Sequence, residues 1–274
     1  MRAALARPRN SLYLPLIVMA LFYLVPLYVM LSTGFKSFEE VDLQRMWELP
    51  SGLHLDNFVA AYEALAPHLW NSVRLVVPAA SISAVLGSIN GFVLSRWRFP
   101  GDNLIFTLIL FGMFIPYQSI LIPLVQFMRT IDLYGGLWGL ILAHVVYGLP
   151  ITTLTFRNYY ATVPGELVEA ARIDGANLFG VYYWILLPIS IPAFVVVLIW
   201  QFTQIWNDFL FAVVLTNNAS WPVTVALNNM AGSQIIAWNV QMAGAFLAAL
   251  PTLVVYILLG RFFLRGMLAG ALKG

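Results

Sequence analysis

Six stretches of the chain, residues 12–31, 75–94, 103–128, 137–156, 184–206 and 242–260, contain no Asp, Glu, Lys or Arg. Each reaches or approaches the roughly 20 apolar residues that a helix needs to cross a bilayer. Only 9% of the 274 residues are charged, against about 25% in soluble domains. Too little polar surface remains to face water, and a bilayer is the solvent that tolerates this. An all-α membrane protein with six transmembrane helices is therefore expected. There is no cysteine, which excludes disulfides, thiolate metal sites and thiol nucleophiles. The first stretch follows Arg2, Arg7 and Arg9, as a signal peptide would. Its apolar run is about twice the length of a signal core and no clear A-x-A site follows it, so a retained anchor is expected.

Lysine and arginine concentrate on the cytoplasmic side of membrane proteins. With the N-terminus inside, Arg2, Arg7, Arg9, Arg96, Arg98, Arg157, Arg172, Arg261, Arg265 and Lys273 are cytoplasmic, and only Lys36, Arg45, Arg74 and Arg129 are outside. Both termini are thus expected in the cytoplasm. The segment between the first two spans, residues 35–70, carries Glu39, Glu40, Asp42, Glu48, Asp56 and Glu63 and is expected to be a solvated outer loop. Prolines recur in the spans (Pro15, Pro26, Pro78, Pro116, Pro123, Pro150, Pro188, Pro192 and Pro251), and each removes a backbone donor and can kink its helix.

Residues 162–188 differ from everything else on the cytoplasmic side. Pro164 suits a first helical turn, Glu166 suits the positive end of the helix dipole, and Gly175 permits a turn with positive φ that ends the helix. A second short helix then leads into the fifth span, with Pro188 marking a bend. Ala170 and Ala171 leave little bulk, so another surface can approach, and Glu169 can pair with a basic side chain there. A plain interfacial amphipathic helix would account for part of this pattern.

The spacing Glu169-Ala170-Ala171, then Gly175, then Ile185, Leu187 and Pro188 resembles the E-A-A signature of permease subunits of binding-protein-dependent ABC importers. Asn71-Ser72, the stretch Trp206-Asn207-Asp208-Phe209 and the C-terminal Gly266 to Gly274 are similar to the carbohydrate branch, in particular to the smaller permease of the maltose type. The resemblance covers about residues 67–274. It implies a type I ABC importer permease fold in a bacterial or archaeal cytoplasmic membrane. Its parts would be an N-terminal helix and outer loop (1–66), a transmembrane domain (67–260) and a cytoplasmic tail (261–274). The partners it implies are a second permease subunit, two cytoplasmic ATPase subunits, an extracytoplasmic solute-binding protein, membrane lipid and a carbohydrate substrate, with no nucleic acid. The coupling loop (Glu169, Ala170, Ala171, Gly175, Ile185, Leu187, Pro188) would dock on the ATPase. The loop over residues 216–241, with Trp221 and Trp238, would reach toward the binding protein. Stretches around Tyr117 and Tyr147 look similar to permeases for glucose or mannose.

Only two lysines exist, Lys36 and Lys273, and neither stands in G-x-x-x-x-G-K-[ST]. No cofactor is expected in this chain; ATP and Mg²⁺ would belong to the partner ATPase. Polar side chains in spans usually face a bundle interior. Gln201, Gln204, Asn207 and Asp208, flanked by Trp200, are therefore candidates for a translocation path, with interhelical hydrogen bonding as the alternative. Tyr117, Gln118 and Gln126 are weaker candidates, and His144 is expected to be packed and hydrogen-bonded. A secondary transporter would need buried ionisable groups at helix breaks, and the spans hold almost none. An intramembrane hydrolase is disfavoured because G-x-S-x-G and H-E-x-x-H are absent.

Overall fold

The structure is a computed structural model describing residues 13–232 and 237–271, with side chains of the last helix described to Gly260 and at Phe262. The expected cytoplasmic residues Arg2, Arg7, Arg9 and Lys273 lie outside the described residues, as do the side chains of Arg261 and Arg265.

Helices follow one another as Tyr13–Gly34 (α1), Asp56–Arg96 (α2), Asp102–Phe111 (α3), Leu121–Thr130 (α4), Leu137–Ala161 (α5), Gly165–Ile173 (α6), Leu178–Val181 (α7), Leu187–Ile189 (α8), Ile191–Trp206 (α9), Leu210–Leu215 (α10), Val223–Met230 (α11) and Trp238–Ala271 (α12). A π-helical turn, Tyr182–Leu186, joins α7 to α8. Among the described residues four helices are long and apolar enough to cross a membrane unaided: α1, α2, α5 and Trp238–Gly260 of α12. Two bent pairs meet the same length and apolarity only when taken together, Asp102–Phe114 with Tyr117–Thr130 at 93° and Leu178–Ile189 with Ile191–Trp206 at 74°. Counting each pair as one crossing gives the six expected.

The breaks have local causes. Pro116 sits in the first, between two short 3₁₀ turns. Pro188 and Pro192 flank the second at Ser190. Each proline withdraws a donor from the helical ladder, one at the first break and two about a turn apart at the second. The third and fifth spans are therefore not the single straight rods that their apolar runs imply.

The second span also begins far earlier than its apolar run. Helix α2 has 41 residues, about 60 Å at 1.5 Å per residue, roughly twice the hydrocarbon thickness of a bilayer. Its first turns occupy what the charge pattern marks as outer loop, and Asn71-Ser72 lie within the helix rather than at its start.

Two compact units divide the chain: residues 1–66 with 227–249, and residues 67–226 with 250–274. In the first, the loop after α1 is folded rather than merely solvated. The Lys36 side chain is buried and donates to the Arg45 carbonyl at 2.8 Å. Asn57 donates to the carbonyls of Gly34 and Lys36, and Asn239 donates to Asn57 Oδ1 at 2.9 Å. The Glu40 carboxylate accepts from Ser51 at 3.1 Å and from the Ser37 amide at 3.0 Å. These bonds to Ser51 and Ser37 hold its pKa down at about 2, so the clasp stays ionised through ordinary acidification.

The second unit packs α2 directly on α5. A Cβ on Gly87 would stand 2.2 Å from Thr152 Oγ1, and one on Gly91 would stand 2.6 Å from the Arg157 backbone nitrogen. Absent side chains let the two helices approach, as small residues do at membrane helix contacts. Arg157 lies over the Phe106 ring at 4.0 Å, and Arg96 donates to the carbonyls of Tyr160 and Val163. These arginines close the end of the unit that carries residues 162–188.

Candidate functional sites

Helix α6 ends in a glycine turn built as the sequence implies. Gly175 has φ +87°. The Ala176 amide donates to the Ala171 carbonyl at 2.9 Å, and the Gly175 amide donates to that of Arg172 at 3.0 Å. This pair of bonds satisfies carbonyls that a helix end leaves orphaned. Asn177 then caps α7 by accepting from the Gly180 amide at 2.9 Å.

The segment's two faces divide sharply. Val168 and Ala171 turn inward and join Ala84, Phe92, Phe156, Tyr160, Val181 and Leu186 in one buried cluster. Glu169 and Ala170 are exposed. Ala171 is thus part of this chain's own core, and of the two alanines only Ala170 can meet another surface. Leu167, Ile173, Phe179 and Trp184 are also exposed. Pro188 is exposed, and Ile185 and Leu187 are half-buried.

A chain of hydroxyls ties this segment to the helices behind it. Ser88 lies 2.6 Å from the Tyr160 hydroxyl and 2.9 Å from that of Tyr182. Tyr160 donates to Ser190 Oγ at 3.2 Å, and Ser190 donates to the Leu187 carbonyl at 2.8 Å. The chain links α2, α5, the π-helical turn and the bend before α9. π-Helical turns commonly mark functional positions. Here the turn joins the exposed segment to a broken span.

A second site lies along α5, away from that segment. A cavity of about 650 Å³ is lined by Gln201, Gln204, Asn207, Asp208, Trp200, His144, Tyr117 and Tyr147, among others. Gly148 on its wall is 13 residues, about 20 Å, from the end of α5 at Ala161. Trp206, Gln118 and Gln126 do not line it.

Asp208 stands in the break between α9 and α10 rather than on the helix that bears Gln201 and Gln204. Its carboxylate accepts from the amides of Phe211 at 3.3 Å and Ala212 at 3.0 Å, and its carbonyl accepts from Thr224 Oγ1 at 2.7 Å. Asn207 donates back to the Thr203 carbonyl at 2.8 Å. The Trp206–Phe209 stretch is thus a helix stop followed by a helix start.

Sequence reasoning underrated His144. Its Nε2 lies 3.4 Å from Asp208 Oδ2, with only 9% of the side chain exposed, but is not aligned for a hydrogen bond. Gln201 Nε2 is likewise buried without a partner, and the residue is 3% exposed. A buried polar group left unpaired costs about 1–3 kcal/mol. Among the described residues no lysine or arginine lines the cavity. Among the described residues no group of His, Asp and Glu is arranged to hold a metal.

On the far side of the cavity the chain is pinned back. Gly135 and Thr216 form a bridge. His68 Nδ1 lies 3.0 Å from the Trp221 carbonyl, Asn71 donates to the Ala219 carbonyl at 3.0 Å, and Ser72 accepts from the Val223 amide at 2.9 Å. Asn71-Ser72 therefore fasten residues 219–223 of the 216–241 loop. Residues 233–236 of that loop lie outside the described residues.

Comparison with known proteins places these features in context. Residues 77–267 match the family described as "Binding-protein-dependent transport system inner membrane component". A probable ABC transporter permease of Pyrococcus horikoshii is 46% identical over 97% of this chain and 98% of its own length. A xylose/arabinose import permease of Haloferax volcanii is 36% identical over 90% of this chain and 87% of its own length. A glucose import permease of Saccharolobus solfataricus is 30% identical over 94% and 92%. The fold matches a chain of a bacterial ABC transporter that imports the acidic polysaccharide alginate, with TM-score 0.78, 20% identity, and coverage of 96% of this chain and 100% of that one.

Proposed function

Because the chain belongs to the family of binding-protein-dependent transport system inner membrane components, we propose that it is the translocating permease subunit of an ATP-driven sugar importer of a bacterial or archaeal cytoplasmic membrane. Relatives named for xylose and arabinose, glucose and alpha-glucosides support the sugar. The excess of arginine on the side of residues 162–188 supports both termini being cytoplasmic. The single observation that carries the coupling role is the two-faced 162–188 segment. Its inner face is locked into the core, and its outer face shows Leu167, Ala170 and Ile173 beside the Glu169 carboxylate.

A bare apolar face next to a charge suits a protein partner. In this reading an ATPase subunit covers Ala170, Glu169 pairs with a base on it, and Gly175, Ile185, Leu187 and Pro188 shape the lever. The remaining partners are a second permease, a second ATPase and an extracytoplasmic binding protein, in a lipid bilayer. ATP and Mg²⁺ sit on the ATPases. The path follows Gln201, Gln204, Asn207, Asp208 and Trp200, and the parts fall at 1–66, 67–260 and 261–274.

The test is reconstitution of the complete complex in vesicles with sugar-loaded binding protein. Uptake of labelled sugar is expected to require ATP and to persist when ionophores collapse proton and sodium gradients. Uptake that needs a gradient and ignores ATP would establish a secondary transporter instead.

A further inference from the structure

We propose that residues 42–49 form an interfacial anchor, laying Leu43, Trp47 and Leu49 into the bilayer surface at the C-terminal end of α1. The inference goes beyond the importer reading and rests only on α1 being a membrane span.

The segment is drawn back along the helix it follows. The Tyr28 hydroxyl donates to the Trp47 carbonyl at 2.8 Å, and Ser32 Oγ donates to the Glu48 carbonyl at 3.0 Å. Lys36 Nζ holds the Arg45 carbonyl. Tyr28 stands six residues before the end of α1 at Gly34, about 9 Å down its axis, and inside the charge-free run 12–31. Side chains of a helix lean toward its N-terminus, so the Tyr28 hydroxyl points away from the helix end. Trp47 is therefore held level with the last turns of the apolar run rather than beyond them.

What the segment shows outward is largely apolar. Leu43 is 83% exposed, Leu49 76% and Trp47 57%. Of the three charges among these residues, Arg45 and Glu48 pair with each other at 2.7 Å, and Asp42 accepts from the Gln44 amide at 2.7 Å. A partner that recognises charge would find little of it free. Beside the segment, the most apolar window of α1 has no buried residue, so the surface that continues from Trp47 through Tyr28 is one that meets lipid. This continuity selects lipid over a protein partner. Trp and Tyr favour the headgroup level, where an apolar ring and a polar tip each find a matching medium. Asn57 and Asn239 tie the same clasp to the start of α12, so the anchor sets the depth of that helix end as well.

Leu43→Cys and Leu49→Cys alter exposed side chains and leave the clasp intact. Asp56→Cys serves as reference: it is exposed, and its neighbour Asn57 donates to the Gly34 and Lys36 carbonyls, which places it past the end of α1. Each cysteine carries a nitroxide in the complete complex in phosphatidylcholine vesicles, and the parent complex, whose copy of this chain has no cysteine, supplies the background. Collision with oxygen, which concentrates in lipid, and with a water-soluble nickel chelate gives the depth of each label. Labels at 43 and 49 are expected about 5–10 Å inside the headgroup boundary, and the label at 56 in water, with and without binding protein. Equal access of the nickel chelate to all three positions overturns the inference. So does shielding from both reagents, which marks contact with another subunit, or shielding that arises only with the binding protein, which marks its docking face. ATP-driven uptake in the same vesicles reads the importer assignment independently.

Discussion

Gly91→Leu is expected to abolish accumulation of the folded chain in membranes, while Gly136→Ala leaves it unchanged. The reason is distance. A Cβ at position 91 would lie 2.6 Å from the Arg157 nitrogen, 2.7 Å from Phe156 Cβ and 2.9 Å from the Phe156 carbonyl carbon. Two of these three atoms are main chain of α5, which cannot rotate away as a flexible side chain could. The helices would have to part, and the cluster of Phe92, Phe156 and Tyr160 with Val168 and Ala171 would part with them. Overpacking a core ordinarily costs about 1–3 kcal/mol, and at least the upper end is expected where backbone blocks relaxation. Position 136 has nothing within 4 Å of an added Cβ and its φ is −124°, so alanine there is unstrained. Membrane yield and the detergent melting point of the purified chain check both. A Gly91→Leu chain that accumulates and melts like the parent would show that the α2–α5 contact is wrong.

Gly175→Val is the second large effect, and it strikes transport rather than folding. No atom lies within 4 Å of a Cβ at this position, so the substitution meets no neighbour. The strain is wholly in the backbone, because φ +87° is a conformation that β-branched residues avoid. A penalty of about 1–2 kcal/mol shifts the turn's population roughly 5–30-fold and releases the bonds from Ala176 and Gly175 that close α6. The complex should still assemble, with roughly a tenfold fall in sugar moved per ATP hydrolysed, on the scale of that population shift. Gly175→Asn, which tolerates positive φ, should retain most of it. Parallel measurement of uptake and phosphate release in vesicles decides the matter; normal stoichiometry in the valine variant would separate the turn from coupling.

Much of the fold is legible in the uncharged runs because a bilayer imposes one simple demand, length and apolarity, on each crossing. The breaks are less so. Pro116, Pro188 and Pro192 mark positions where a ladder bond is lost, but the bends of 93° and 74° depend on what packs against the freed carbonyls. The early start of α2 is hidden because Asp56, Asn57, Glu63 and His68 look like loop residues by polarity alone.

The same divide runs through the sites. Gln201, Gln204 and Asp208 stand out as polar residues at the end of an apolar run, and all three line the cavity. His144 does not stand out as their neighbour, because it meets Asp208 across 64 positions of sequence and no local pattern encodes that. In α6, Val168 and Ala171 form one apolar stripe while Leu167, Ala170 and Ile173 form another. Helical spacing gives both stripes, but only the packed structure shows which belongs to the chain's own core.

The central claim is that the outer face of residues 162–188 meets an ATPase, and Ala170 reports on it most directly. In the assembled complex, with the Ala170→Cys variant in this cysteine-free chain, a short bis-maleimide or disulfide is expected to join position 170 to a cysteine in the ATPase, with the yield changing on ATP binding. An Asn218→Cys variant, beyond the cavity, should give no such product. Labelling of position 170 by a membrane-impermeant maleimide applied outside intact cells, with no link to the ATPase in the complex, would contradict the account.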